Sequence, residues 1–204
     1  MPRRRTGEIG LFTGKTRSGK THQLKKRIAR ERRVIVWSVK EAVDKYAENW
    51  PGRAVKVRGL HQLKALVMQI GKAPGIIIYT PASIKEFGDF CKIAHAWGIM
   101  TPCSVVAEEL ADVTSPGKAP DGWGELVRQG AGWGINIYGV TQRPAESDKT
   151  IIGNMSFIHA HQVMRDKDRQ YIASEMALPV EDLQKLTGYQ WIERWQCGKL
   201  KTGK

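Results

Sequence analysis

The sequence predicts an α/β fold: a mostly parallel central sheet with helices on both faces. Three observations predict it. Short apolar runs alternate with charged, helix-patterned segments through most of the chain. The first apolar run passes through a glycine loop straight into a helical pattern. Hydrophobic residues make up 41% of 204 positions, enough for one core of ordinary size.

The elements follow in order. Residues 9–13, Ile-Gly-Leu-Phe-Thr, read as a buried strand, and 20–32 as a helix with Leu24 and Ile28 four apart. Strands are expected at 34–38, 54–57, 75–79, 104–107, 135–140 and 157–162. Helices are expected between them at 39–48, 60–70, 83–97, 124–129 and 145–152. Asp166 and Pro179 act as start signals for helices at 166–176 and 180–186, and 189–195 reads as a closing strand. Residues 112–122, with Pro116, Gly117 and Pro120, form the one notable loop. The chain divides into a basic N-terminal arm (1–7), a core (8–165) and a C-terminal helical extension (166–204). No repeat or low-complexity tract interrupts it.

The strongest local signal is Gly14-Lys15-Thr16-Arg17-Ser18-Gly19-Lys20-Thr21, which fits G-x-x-x-x-G-K-[ST] at every required position. A strand before it and a helix after it are the context this phosphate-binding loop requires. Gly14 and Gly19 permit the tight turn that brings backbone N–H groups to phosphate oxygens. The following helix points its positive dipole end at the same anion. Lys20 is placed for the β- and γ-phosphates of ATP, and the Thr21 hydroxyl for Mg²⁺. Lys15 and Arg17 are not motif positions and are expected to be solvated or to assist with phosphate charge.

Hydrolysis needs an acid to organise the metal and a group to activate water. Ser104-Val105-Val106-Ala107-Glu108-Glu109 is an apolar strand ending in two carboxylates. Glu108 falls at the metal-organising position and Glu109 at the base position. Because Glu108 stands where aspartate is usual, the two roles could be exchanged. A third strand end, Thr141-Gln142-Arg143-Pro144, offers Gln142 as a γ-phosphate sensor.

Net charge is +13, from 33 Lys+Arg against 20 Asp+Glu, far more positive charge than one nucleotide requires. It clusters at Arg3-Arg4-Arg5, at Lys25-Lys26-Arg27 with Arg30, Arg32 and Arg33, and at Lys199, Lys201 and Lys204. This pattern points to a nucleic-acid partner. Cys91, Cys103 and Cys197 are odd in number and widely spaced, which argues against a disulfide framework or zinc site; they read as buried or half-buried thiols. No apolar run reaches the length of a membrane span, so the protein is expected to be soluble and intracellular. His159 and His161 share one strand face, with no Cys or acid nearby in sequence to complete a metal set. His22 follows the P-loop threonine. Trp123 and Trp133, each between glycines, read either as core anchors or as a partner-facing surface.

A P-loop, a strand with paired acids, an arginine-bearing helix and a strand ending in Thr-Gln-Arg-Pro together resemble the additional-strand, RecA-like P-loop NTPases with a three-layer fold. More narrowly they resemble the FtsK–HerA superfamily, and within it the genome-packaging ATPases of membrane-containing tailless phages and related viruses. The resemblance spans roughly residues 8 to 165. It implies an ATP- and Mg²⁺-dependent ATPase that translocates double-stranded DNA, packaging a viral genome into a preformed capsid, in the virion or host cytoplasm. It implies Glu109 as the base, Gln142 as the sensor and a homo-oligomeric ring, a hexamer, docked on capsid vertex or portal proteins. An arginine from one subunit would complete the neighbour's site; Arg128 is the first candidate and Arg143 the second. The alternatives are a non-packaging P-loop ATPase serving phage morphogenesis, or a small nucleotide-dependent kinase or switch. The paired glutamates and the absence of an N-K-x-D motif argue against the last.

Overall fold

A computed structural model describes residues 6–204 of the chain. The arginine cluster expected at Arg3-Arg4-Arg5 lies outside the described residues. In chain order the elements are β1 (Ile9–Thr13), α1 (Lys20–Ile28), β2 (Arg33–Trp37), α2 (Glu41–Asp44), β3 (Ala54–Arg58), α3 (Leu60–Ile70), β4 (Gly75–Thr80) and α4 (Phe87–Met100). They continue as β5 (Ser104–Ala107), α5 (Leu110–Val113), α6 (Asp121–Gln129), β6 (Asn136–Thr141), α7 (Lys149–Asn154) and β7 (Phe157–Ala160). The chain closes with α8 (Asp166–Glu175), α9 (Val180–Gln184), β8 (Trp191–Trp195) and β9 (Leu200–Gly203).

The strands form one nine-stranded sheet in the order β3-β4-β2-β5-β6-β1-β7-β8-β9. Strands β1 to β7 pair in parallel; β8 and β9 add antiparallel at the β7 edge. The period-2 alternation of a strand splits its apolar side chains between two cores. Phe12, Val34, Val36 and Val106 pack with Leu24 and Ile28 of α1 on one face. Leu11, Ile35, Trp37 and Val105 pack with Phe90, Ala94 and Leu126 of α4 and α6 on the other. The expected three-layer α/β arrangement is borne out.

Boundaries shift where a local group overrides the pattern. Helix α1 stops at Ile28, four residues before the expected end. Arg33 then enters the sheet instead of extending the basic surface. Its buried guanidinium donates to the carbonyls of Gly71 and Trp97 at 2.9 and 3.2 Å, and to that of Ala73. It also lies 3.9 Å over the Trp97 ring. The helix expected at 39–48 breaks at Lys45, whose φ of 50° is left-handed, and resumes as a 3₁₀ turn at Tyr46–Asn49. The helix expected at 145–152 is split because the Asp148 side chain caps α7, accepting from the Thr150 amide. The loop expected at 112–122 is shortened at both ends, by α5 and by the start of α6 at Asp121.

In the C-terminal extension α8 and α9 are followed by the expected closing strand, β8, and by β9, which was not expected and continues the sheet. Cys91 and Cys103 are buried as expected, whereas Cys197 is exposed. Trp123 is a core anchor that donates to Asp148 at 2.5 Å, while Trp133 is 36% exposed. Among the described residues, no helix is long and apolar enough to cross a membrane.

Candidate functional site

The adjacency of β2, β5, β6 and β1 in a parallel sheet places four chain segments side by side at one edge. These are the P-loop after β1, Glu108-Glu109 after β5, Gln142 after β6 and Lys40 after β2. Crevices outside the carboxyl ends of parallel strands are where ligands bind in open α/β sheets. An open cleft of roughly 490 Å³ lies there, lined by Thr16, Lys20, Thr21, Lys40, Asp44, Glu108, Glu109 and Gln142 among others.

The P-loop turns through left-handed backbone at Arg17 (φ 61°) and Gly19 (φ 99°). It rests on the carboxyl end of β7. The Lys15 amide donates to the Gln162 carbonyl at 2.8 Å. A Cβ on Gly14 would meet the His161 Cβ at 2.7 Å, and one on Gly19 would meet the His161 Cε1 at 3.2 Å. The motif glycines are therefore required by packing against His161 as well as by the turn. Lys20 is buried and its ammonium donates to the Lys15 carbonyl at 3.4 Å, inside the loop. Burial lowers its pKa, while Glu108 and Glu109 pull it the other way.

Thr21 donates its hydroxyl to Oε1 of Glu108 at 3.2 Å, joining the two predicted metal-side residues. Glu108 is 2% exposed and also accepts from the Tyr46 hydroxyl. Burial first, then the charge of Asp44, pushes its carboxyl up to about 7, against the opposing pull of Tyr46 and Lys20. Burial, and then Glu109, raises Asp44 as well. Carboxyls held above their ordinary range beside a phosphate loop mark a place where one more cation would be stabilised. Mg²⁺ keeps most of its water and needs few protein ligands. Thr21 and Glu108 fit that role. Among the described residues, no cluster of three or more His, Cys, Asp or Glu forms a metal cage.

Glu109 turns away from the strand through left-handed backbone, φ 50°. Its carboxylate accepts from Gln142 Nε2 at 3.1 Å and pairs with Lys40 at 2.6 Å. Gln142 Oε1 accepts from the Thr16 hydroxyl at 2.7 Å. One hydrogen-bonded line thus runs from the P-loop through the Thr-Gln strand end to the second acid. Lys40, Tyr46 and Asp44 were not identified from sequence. Nothing local marks them, because the sheet order alone brings β2 against β5.

The two candidate arginines lie apart. Arg143 is exposed beside Gln142 and pairs with Glu146 at 3.4 Å. Arg128 is exposed in the last turn of α6, where the absence of a side chain at Gly124 leaves room for its guanidinium. Neither lines the cleft. His22 does, as does Tyr189 from the loop before β8. The histidine pair meets an acid that is distant in sequence, and the contact is a structural one. Glu193 of β8 accepts at 3.0 Å from His159 and at 2.6 Å from Arg27. The partners are distant in sequence, so the contact is visible only in the fold. Arg27 also pairs with Glu8 at 3.0 Å, which withdraws it from the basic surface.

No family model matches the chain. Protein P9 of Pseudoalteromonas phage PM2 is 35% identical over 153 residues, 72% of this chain and 65% of that protein. The chain therefore matches somewhat less than two thirds of that relative's length. Among solved structures, the genome-packaging NTPase B204 of Sulfolobus turreted icosahedral virus 2, in complex with AMPPCP, aligns with a TM-score of 0.75 at 12% identity. The alignment covers 97% of each chain. B204 of Sulfolobus turreted icosahedral virus, described as a DNA-packaging ATPase, aligns with a TM-score of 0.71 at 13% identity over 98% of each chain. The expected resemblance is borne out as likeness to these proteins: in sequence to Protein P9 and in fold to the packaging NTPases B204.

Proposed function

We propose that this chain, a homologue of phage PM2 Protein P9 with the fold of viral genome-packaging NTPases, is an ATP-hydrolysing motor that moves double-stranded DNA into a preformed capsid. The observation that carries the reading is the line Thr16–Gln142–Glu109, which joins phosphate loop, sensor strand and candidate base.

Backbone amides of Gly14–Thr21 and the ammonium of Lys20 hold the β- and γ-phosphates of ATP. Thr21 and Glu108 would hold Mg²⁺, which would supply neutralisation of the phosphate charge. Glu109 accepts a proton from water as the water oxygen bonds to the γ-phosphorus. The bond from that phosphorus to the β–γ bridging oxygen breaks, ADP leaves with the electron pair, and the proton passes from Glu109 to phosphate. Gln142 orients the water and registers whether the γ-phosphate is present. Lys40 holds the Glu109 carboxylate until the nucleotide and a neighbouring subunit complete the site.

The net charge of +13 supports a polyanionic cargo tracked through phosphates rather than bases. A hexameric ring, with Arg128 or Arg143 entering the next subunit's cleft and capsid vertex or portal proteins as its docking partners, would act in the virion or host cytoplasm. The test is the ATPase rate with and without duplex DNA, across protein concentration and salt. The reading expects stimulation by DNA that rises with protein concentration and falls steeply with salt. A rate indifferent to DNA removes the translocase.

A further inference from the structure

A second recess opens on the far side of Gly19 from the acids. It encloses roughly 430 Å³ and is lined by Gly19, His22, His161, Tyr189 and the chain's last lysine, Lys204, among others. Tyr189 stands on the ridge between the two openings and lines both. Its ring packs on the P-loop backbone: a Cβ on Gly19 would lie 3.3 Å from Tyr189 Cδ1. Yet the side chain is 66% exposed, an unusual position for a large aromatic in a loop. His161 lies beneath, fully buried, with the Gln190 backbone close to its ring and neither ring nitrogen in strict hydrogen-bond geometry with a partner. Burial, with the neighbouring His159, lowers its pKa to about 3, so the imidazole is neutral and offers one donor and one acceptor.

The cleft has a polarity. Lys20, Thr21, Glu108, Glu109 and Gln142 line only this opening, where the γ-phosphate chemistry belongs, whereas Gly19, His22 and Tyr189 line the second recess as well. A nucleotide laid along the loop with its triphosphate toward the acids therefore presents its base to Tyr189. We propose that Tyr189 is the stacking platform for the nucleotide base, with His161 and His22 beside it. This rests on the reading of the P-loop as a nucleoside triphosphate site. It also assigns part of the site to the segment between α9 and β8, beyond the residues that carry the sequence motifs. Because the platform is an aromatic face, it favours purines through stacking area and reads their edges weakly.

The test is calorimetry on the full chain with Mg²⁺, using ATP and inorganic tripolyphosphate as probes. The wild type should bind ATP more tightly than tripolyphosphate. Tyr189→Ala should weaken ATP by about tenfold, in the range of a lost base–aromatic stack, and leave tripolyphosphate within about twofold. Tyr189→Phe should behave as wild type. Equal loss of both probes, no loss of either, or a Phe variant as weak as Ala overturns the platform while leaving the P-loop reading intact. If neither probe binds the wild type, or Lys20→Ala binds both unchanged, the P-loop reading itself fails and the base site with it.

Discussion

The ammonium of Lys40 lies 2.6 Å from Oε1 of Glu109, pinning the candidate base to the end of the neighbouring strand. The pair raises the Lys40 pKa chiefly through this hydrogen bond. Lys40 is half exposed, so the restraint is modest, about 0.5–1 kcal/mol. Lys40→Met should free Glu109 and raise DNA-independent ATP turnover by about two- to fivefold. Stimulation by DNA should shrink in proportion. A fall in both rates would instead place Lys40 on the phosphates.

Glu109→Gln keeps the Gln142 contact available but cannot take a proton. Turnover should fall by about 10²–10³-fold, within the usual range for a general base, while ATP affinity stays within about twofold. Lys20→Ala should show the opposite split, losing affinity first. Single-turnover hydrolysis alongside equilibrium binding separates the two variants.

Glu108 makes the fold sensitive to pH. Its carboxyl is raised from the ordinary carboxylate range to about 7 by burial and by Asp44. The folded state therefore holds a proton that the unfolded chain has released, and stability is lost as pH rises from about 4.5 to 7. The magnitude is on the order of 3 kcal/mol. Glu108→Gln, measured by thermal unfolding without nucleotide, should match wild type near pH 5 and exceed it at pH 8. The same variant should lose Mg²⁺-dependent nucleotide affinity. Equal melting differences at both pH values would contradict the assignment.

Arg33 and Arg32 are neighbours in sequence with opposite fates. Arg33→Met removes a buried donor from the carbonyls of Gly71, Ala73 and Trp97, of which the Trp97 contact is buried and Gly71 keeps the Trp97 indole, and should cost about 1–3 kcal/mol in denaturant unfolding. Arg30→Ala with Arg32→Ala removes exposed charge and should leave stability within about 0.5 kcal/mol. If these two touch DNA, the double variant lowers the slope of log affinity against log salt by about two.

What could be read from the sequence was whatever lies close together along the chain. Strands β1 and β5 and helix α3 fall at their expected bounds, because each is a clean apolar run or period closed by polar or turn residues. The P-loop, Glu108-Glu109 and Gln142 were found because each follows its own strand directly. Lys40 and Tyr46 were not, since they reach the acids across 69 and 62 residues of chain. Arg33 was misread because a run of like charges hides the member that enters the sheet, as it hides Arg27, which is withdrawn into ion pairs. Strand β9, Leu-Lys-Thr-Gly, is too short and polar to register alone and exists only by pairing with β8.

The place of β1 in the sheet has a consequence for biosynthesis. The strand that carries the P-loop is made well before its neighbours, β6 and β7, which lie more than 120 residues further along. Until residues near 141 have left the ribosome β1 has no partner on either side, and until residues near 161 have followed it lacks β7 and the loop has no His161 to rest on. The nascent chain must therefore hold Ile9–Thr13, an entirely buried strand, unpaired until β6 has been made. Non-local parallel pairing of this kind is slow and leaves an adhesive segment exposed. Any chain interrupted before β7 is expected to be captured by chaperones rather than to fold into a smaller nucleotide-binding unit.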